Sequence, residues 1–262
     1  MPPRGDVARV TNPFAQIEKL PLFTTSQLQA SRYAIVLDPA GANVEAGIVS
    51  KDYNLVENSF VVEAAKRVLD RAGFNASITK QIWDGRHFLR RYTIDDPSLI
   101  IDADPGVGDL IAASLDVRNS YDGTAKFGIL FNLTRLACLN GMRVDHLLGG
   151  FTFKHNASNE EEFEREVEAA VAKLMGLAPH LRTLAPRFQR LNTITMGRAD
   201  FLRAADKLKI SDNVAMDVLR ATEGDSAWSL LNGFTSVYTE MGTFPSEEAN
   251  RKAIDHFLAM VD

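Results

Sequence analysis

Apolar positions change rhythm twice along this chain of 262 residues. In "NSFVVEAAKRVLDRAG" (58–73), Val61, Ala64, Ala65, Val68, Leu69 and Ala72 recur at helical spacing. Asn58 or Ser59 is placed to cap that helix and Gly73 to stop it. From 74 to 156 the spacing shortens to two. "FNASITKQI" (74–82) and "HFLRRYTI" (87–94) flank "WDG", while "DLIAASLDVRNS" (109–120) and "AKFGILFNLTRLACL" (125–139) flank "YDGT". Asp-Gly between extended segments predicts a hairpin with a type I′ turn, which needs positive φ at both central residues. "RYAIVLD" (32–38) reads as a strand stopped by "PAGAN", and "DHLLGGFTFKH" (145–155) as one or two more. Residues 1–30 are punctuated by Pro2, Pro3, Pro13 and Pro21 and sustain no period. After residue 156 the helical spacing returns. A helix over 158–176 opens with Ser158 and Glu161 as a capping box, and others follow near 180–192, 197–209, 211–222, 225–241 and 246–261. Ser211 and Ser246 are placed to cap two of these.

These elements predict an α+β chain: an N-terminal antiparallel β-meander with a packed helix, then an all-helical C-terminal half. The expected division is an irregular arm (1–30), an antiparallel-sheet unit (31–156) and a helical region packed on the sheet (157–262). Composition agrees with a globular class, at 45% apolar and 24% charged residues. No apolar run is long enough to span a bilayer. The first residues, "MPPRGDVARVTNPFAQ", lack the apolar centre of a secretory signal. Cys138, the single cysteine, excludes an internal disulfide framework and favours a cytoplasmic location. Its apolar strand context reads as a buried small hydrophobe.

The formal net charge of −5 argues against an indiscriminate polyanion binder. Charge is uneven, however. From Arg86 onward, strand alternation puts Arg86, Phe88, Arg90, Tyr92 and Ile94 on one face, and His87, Leu89, Arg91 and Thr93 on the other. An outward row of cations and rings suits a single nucleic-acid strand, since bases stack on rings and guanidiniums meet phosphates. The same rings could instead face the core. The expected single-stranded DNA surface stacks bases on Phe88 and Tyr92, with Trp83 and Tyr121. Lys80, Arg86, Arg90, Arg91, Arg118 and Lys126 track phosphates on it, and Arg187 and Arg190 close a groove. Residues 180–209 carry seven basic against two acidic side chains, whereas 160–168 carry six glutamates and one arginine. That separation suggests two surfaces of opposite potential.

Other signals are weaker. "PGVGD" (105–109) is neither a phosphate loop nor a dinucleotide fingerprint. Asp102, Asp104, Asp145 and His146 could form a metal site only by assembly in space. No nucleophile–base arrangement stands out, and no cofactor or resident metal is expected. Two alternatives to a non-enzymatic DNA-binding protein stay open. One is a protein-binding module that docks through the acidic helix. The other is a metal-dependent nucleic-acid enzyme using Asp102, Asp104 or His146.

Three stretches resemble a phage- and plasmid-associated protein family of unknown function: "RNSYDGTAKFGILFNLTRLACLNGM" (118–142), "YNLVENSFVVEAAKRVLDRAGF…WDGRHFLRRYTI" (53–94) and "DSAWSLLNGFTSVYTE" (225–240). Two departures stand out: Tyr121 replaces a usual His, and Thr239-Glu240 a usual Asp-His. The resemblance implies a mobile-element setting near recombination, repair or anti-restriction functions. In layout the chain is also similar to single-stranded-DNA-binding RNA polymerase cofactors of podophages. An RNA polymerase or recombination protein is therefore an expected partner, alongside self-association and without a membrane.

Overall fold

The computed structural model describes residues 11–262, apart from 39, 42, 145–147 and 154–159. Its strands form two sheets. β1 (Ile17–Phe23), β2 (Gln29–Leu37) and β3 (Val44–Ser50) make a small antiparallel sheet in chain order. Helix α1 (Asn58–Ala72) leads into a larger sheet built from β4 (Ala76–Trp83), β5 (His87–Ile94), β6 (Ile100–Asp104), β7 (Asp109–Ser120), β8 (Phe127–Arg135), β9 (Asn140–Met142) and β10 (Gly150–Phe153). Six helices follow: α2 (Glu160–Met175), α3 (Leu177–Asn192), α4 (Arg198–Leu208), α5 (Asp212–Ala221), α6 (Ala227–Met241) and α7 (Phe244–Leu258).

This overturns the expected single N-terminal meander. The N-terminal half carries two sheets, and the larger does not run in chain order. Its path is β10-β8-β7-β5-β4, with β6 and β9 placed off that path. The long β7–β8 hairpin explains the pattern. One edge of β7 pairs first with β6 and then with β5, and the far edge of β8 pairs with β10 and then β9. Two short strands thus share each edge of a long one, and the sheet curls as it passes from one to the next.

The arm expected to be irregular supplies β1, and "VEAGIVS" supplies β3, which the sequence pattern did not reveal. Neither alternates cleanly: β3 contains Gly47, and β1 contains Pro21 where its register shifts. Ile17, Ile35, Leu37, Ala46 and Val49 form the small sheet's core, completed by Tyr53 and by Tyr121 of the larger sheet's β7–β8 turn. Tyr53 Oη donates to the Ser120 carbonyl at 2.7 Å, and the Asn58 amide donates to Tyr121 Oη at 3.0 Å. Asn58 is therefore no cap: its side chain donates to the Pro13 carbonyl at 2.7 Å and accepts from Asn119 at 2.9 Å. Ser211 does cap α5, whereas Thr243, not Ser246, caps α7. Ser158 of the expected capping box lies outside the described residues, as do Asp145, His146 and the ends of the 145–155 segment.

Both Asp-Gly turns exist, but not as type I′. Within each of these Asp-Gly pairs only the glycine, Gly85 or Gly123, has positive φ. Asp84 and Asp122 turn the chain through their side chains instead: Asp84 Oδ1 accepts from the amides of Arg86 and His87, and Asp122 Oδ1 from that of Thr124.

Helices cover both faces of the large sheet. α1 lies on β7 and β8, α3 on β6, and α6 and α7 on β9. The acidic block of α2 partly faces α1 along a solvent-exposed seam, because Glu164 and Glu168 pair with Arg67 and Arg71 of α1. At the centre of the other face, the buried Arg91 guanidinium donates to both Asp116 oxygens at 2.6 Å and to Glu247 of α7 at 3.3 Å. Gly141 of β9 presses against it. A Cβ at that position would lie 1.3 Å from Arg91 Nη1, so no other residue fits while the ion pair stands. Gly141→Ala is expected to lose about 3–5 kcal/mol of stability, the cost of breaking a buried pair, read as a lowered midpoint in urea unfolding. A midpoint equal to wild type would show that Arg91 has room to move.

Candidate functional site

A polar cleft of about 540 Å³ opens at the end of the β7–β8 hairpin away from the small sheet. Its first wall is the β6–β7 turn, with Asp104 and Asp109; its second is the β8–β9 turn, with Arg135, Cys138 and Asn140. Ser229, Asn232 and Ser236 line it at successive turns of α6, beside Trp228. Asn192 at the end of α3 and Glu223 before α6 complete the rim.

Side chains of α3 fix the first wall. Gln189 donates to the Asp102 carbonyl at 2.8 Å, and Asn192 to that of Ala103 at 2.9 Å. The two main β turns are joined by Asp109, which accepts from Arg135 Nε at 2.7 and 2.9 Å and from Trp228 Nε1 at 2.9 Å. Burial alone would lower the Arg135 pKa, but the hydrogen bond and charge of Asp109 raise it, so the guanidinium is firmly cationic. Its Nη1 also donates to Cys138 Sγ at 3.4 Å. Cys138 is exposed in a tight turn where Leu139 has φ of 54°, not buried in a strand as its apolar neighbours suggested.

Two amides in the cleft are unspent. Asn140 is only 5% exposed, and its side chain makes no hydrogen bond among the described residues. Asn232 Oδ1 is buried without a partner there. Buried polar atoms normally find partners, and an unmet one costs about 1–3 kcal/mol. Of these two side chains only Asn232 Oδ1 is closed off from water, so Asn140 and the rest of the Asn232 amide are the groups that the cleft leaves open to a hydrogen-bonding partner.

The arginine–aromatic strand lies elsewhere and does not form the expected surface. Phe88, Tyr92 and Tyr121 are buried, so none can stack a base in this structure. The alternation was read correctly, but both faces are covered. Tyr92 joins the core beneath α1, and Phe14 from the N-terminal segment packs edge-on against Phe88. Arg90 sits over Phe14 and donates to Gln81, while Trp83 packs against Tyr121. Arg91 and Lys80 are spent on the internal network, Lys80 pairing with Glu247 at 2.5 Å. Arg118 is half-buried, and only Arg86 and Lys126 of the hairpin set are exposed. Arg187 and Arg190 close no groove: Arg187 pairs with Asp262 at 2.5 Å, and Arg190 donates to the Val261 carbonyl. Of the acidic residues considered for a metal, Asp102 and Asp104 accept from nearby backbone amides, at 3.1 Å each. No group of three or more metal-ligating side chains occurs among the described residues.

The cleft escaped sequence reasoning because its residues come from four separate segments and none is a basic or aromatic signal. One clue was present. Arg135, Cys138 and Asn140 fall in the "LTRLACLN" stretch, and Trp228, Ser229 and Asn232 in "SAWSLLN", two stretches that carried the family resemblance.

Fold and cleft together define a two-sheet α+β protein with a polar pocket between sheet turns and a buried helix. The chain belongs to the DUF932 family, a domain of unknown function whose family model matches residues 45–253. No curated protein and no solved structure matches it. No helix among the described residues is long and apolar enough to cross a membrane.

The internal network carries a pH signature. Burial would raise the Glu247 pKa, but the charges of Arg91 and Lys80 outweigh it and hold the carboxyl below its ordinary value. A carboxyl depressed in the folded state stabilises above its unfolded pKa, and that contribution disappears as pH falls through the folded value. Glu247→Gln is therefore expected to destabilise the protein at neutral pH and to flatten its loss of stability on the acid side. Chemical denaturation across a pH series checks this; parallel wild-type and variant curves would refute it.

Proposed function

We propose that this chain is a binding protein whose ligand enters the polar cleft. One observation carries the reading: the Asn140 and Asn232 amides line the cleft with hydrogen-bonding capacity that no described residue takes up, beside Arg135 and Trp228, which Asp109 holds in place. Cleft volume falls within the range of small-molecule sites, about 300–1,000 Å³. Ligand binding to the folded state stabilises by about 2.7 kcal/mol at a hundredfold excess over Kd. A small-molecule library screened by thermal shift is therefore expected to yield compounds that raise the wild-type Tm by several degrees. Asn140→Leu and Asn232→Leu, which leave Arg135 and Asp109 in place, should melt like wild type alone and lose that shift. Hits that shift both variants as much as wild type would place the binding site elsewhere.

A second reading keeps the single-stranded DNA expected from the sequence, but on a smaller surface. It is favoured by Arg86 and Lys126, exposed on adjoining hairpin turns that are tied by the Tyr121 amide to the Arg86 carbonyl at 2.8 Å and by His87 to Thr124 at 2.9 Å. The phage or mobile-element setting, a cytoplasmic location and an RNA polymerase or recombination partner belong to this reading. Binding here would be electrostatic, without base stacking on Phe88, Tyr92 or Tyr121. Fluorescence anisotropy with an oligonucleotide of about 30 residues should then show salt-dependent affinity. The Arg86→Ala/Lys126→Ala double variant should flatten the log–log salt slope by about 1.4, at roughly 0.7 per phosphate contact on a single strand. Absence of binding at low salt removes this reading.

A further inference from the structure

The chain's single cysteine lines the cleft, exposed, on the turn between β8 and β9. Three features set it apart from an inert surface thiol. Arg135 Nη1 donates to Cys138 Sγ at 3.4 Å, and Asp109 fixes that arginine through Nε. The thiolate is the nucleophilic form of cysteine, and a positioned cation supports it. The turn is also held: the Leu136 amide donates to the Leu110 carbonyl at 2.8 Å, and Asn140 pairs in register with Arg135. Two residues beyond the sulfur, the Asn140 side chain is 5% exposed, makes no hydrogen bond among the described residues and borders the same cleft. It is left to meet a group carried by whatever reaches the sulfur.

With no second cysteine in this chain, Cys138 cannot close an internal disulfide. A disulfide at this sulfur must join it to another molecule, and the lining selects which. Among the described residues it has three carboxylates, Asp104, Asp109 and Glu223, against one guanidinium, Arg135. Asp109 neutralises Arg135, so Asp104 and Glu223 set the remaining field, which attracts cations and opposes anions. We infer that Cys138 is a thiol-modification site that takes up an aminothiol from a small cationic disulfide and so fills the cleft. Cys138 Sγ, as the thiolate, attacks one sulfur of the disulfide. The new Sγ–S bond forms as the old S–S bond breaks, and the departing sulfur keeps the electron pair and takes up a proton. One half of the reagent stays on Cys138; the other leaves as a free thiol. The disulfide itself is the oxidant. The ammonium of the retained half lies in the field of Asp104 and Glu223 and donates to Asn140 Oδ1. This inference uses the walls of the cleft but needs no reversible ligand, so it can fail while the preceding reading stands.

Intact-mass spectrometry of the full chain, sampled over time at neutral pH, tests it with cystamine, a dication, and glutathione disulfide, an anion. A capped peptide of residues 134–141, TRLACLNG, gives the intrinsic ratio of the two rates. The folded protein should take up one cystamine half faster than the peptide does. Its cystamine-to-glutathione rate ratio should exceed the peptide's about tenfold or more, from about three- to fivefold for each of the two unmatched charges. Glu223→Gln and Asp104→Asn, which keeps an oxygen for the Gly106 amide, should each lower that ratio about three- to fivefold. Asn140→Leu should slow cystamine uptake about threefold or more, the scale of one lost hydrogen bond. Cys138→Ser should form no adduct. Cystamine uptake no faster than the peptide's, a rate ratio at or below the peptide's, or linkage of two chains in place of the small adduct would overturn the inference. The cleft reading itself is judged separately, by whether library hits lose their thermal shift in Asn140→Leu and Asn232→Leu.

Discussion

A guanidinium sealed inside the sheet organises this fold. Arg91 reaches from β5 to Asp116 on β7, and Asp116 also accepts from Asn132 on β8 at 2.9 Å. Glu247 brings α7 to the same charge, and Lys80 of β4 closes the circuit. Burial alone would disfavour the charged form, but Asp116 and Glu247 raise the Arg91 pKa above its already high ordinary value. Such pairs add little net stability compared with a well-packed apolar core, yet losing one partner is costly. Their effect here is positional. Four strands and the last helix must meet at one point, because a charge left unmatched there has no water to turn to.

Around that point the neighbouring polar residues follow a consistent logic. Asn132 Oδ1 accepts from the Val144 amide at 2.9 Å, and Asn250 of α7 donates to the Gly141 carbonyl at 2.8 Å. These side chains supply the backbone bonds that the short β9 and the chain after it cannot obtain from a long ladder. The small sheet is attached at the opposite end of the β7–β8 hairpin by different means. Tyr53 and Tyr121 hydrogen-bond across the join, and burial pushes Tyr121 up to about 12, so its hydroxyl stays protonated at neutral pH.

Local pattern made much of the secondary structure legible. β5 and β7 fall at the expected bounds, and the helix from Asn58 ends at Gly73 as its sequence indicates. The small sheet was hidden because β1 and β3 depend on a partner, β2, that neither encodes locally. Strand alternation sorted Arg91 from Phe88 and Tyr92 correctly, but what covers each face comes from elsewhere in the chain: Phe14 and α1 cover Phe88 and Tyr92, and α7, more than 100 residues further on, covers Arg91. The site was least legible of all. Asn140 and Asn232 are ordinary polar residues in sequence, and they become distinctive only when the fold removes their partners.

One five-residue arc, from Leu136 to Asn140, ends where Gly141 touches Arg91. Cys138 and Asn140 on that arc face the cleft, so the pocket's rim is anchored directly to the ionic centre of the protein. A rim so anchored has little freedom left to surrender when a guest arrives, and the entropic penalty of ordering it falls on folding instead of on binding. The pocket's rim and the C-terminal helix meet through Gly141 and Arg91, though they share no residue.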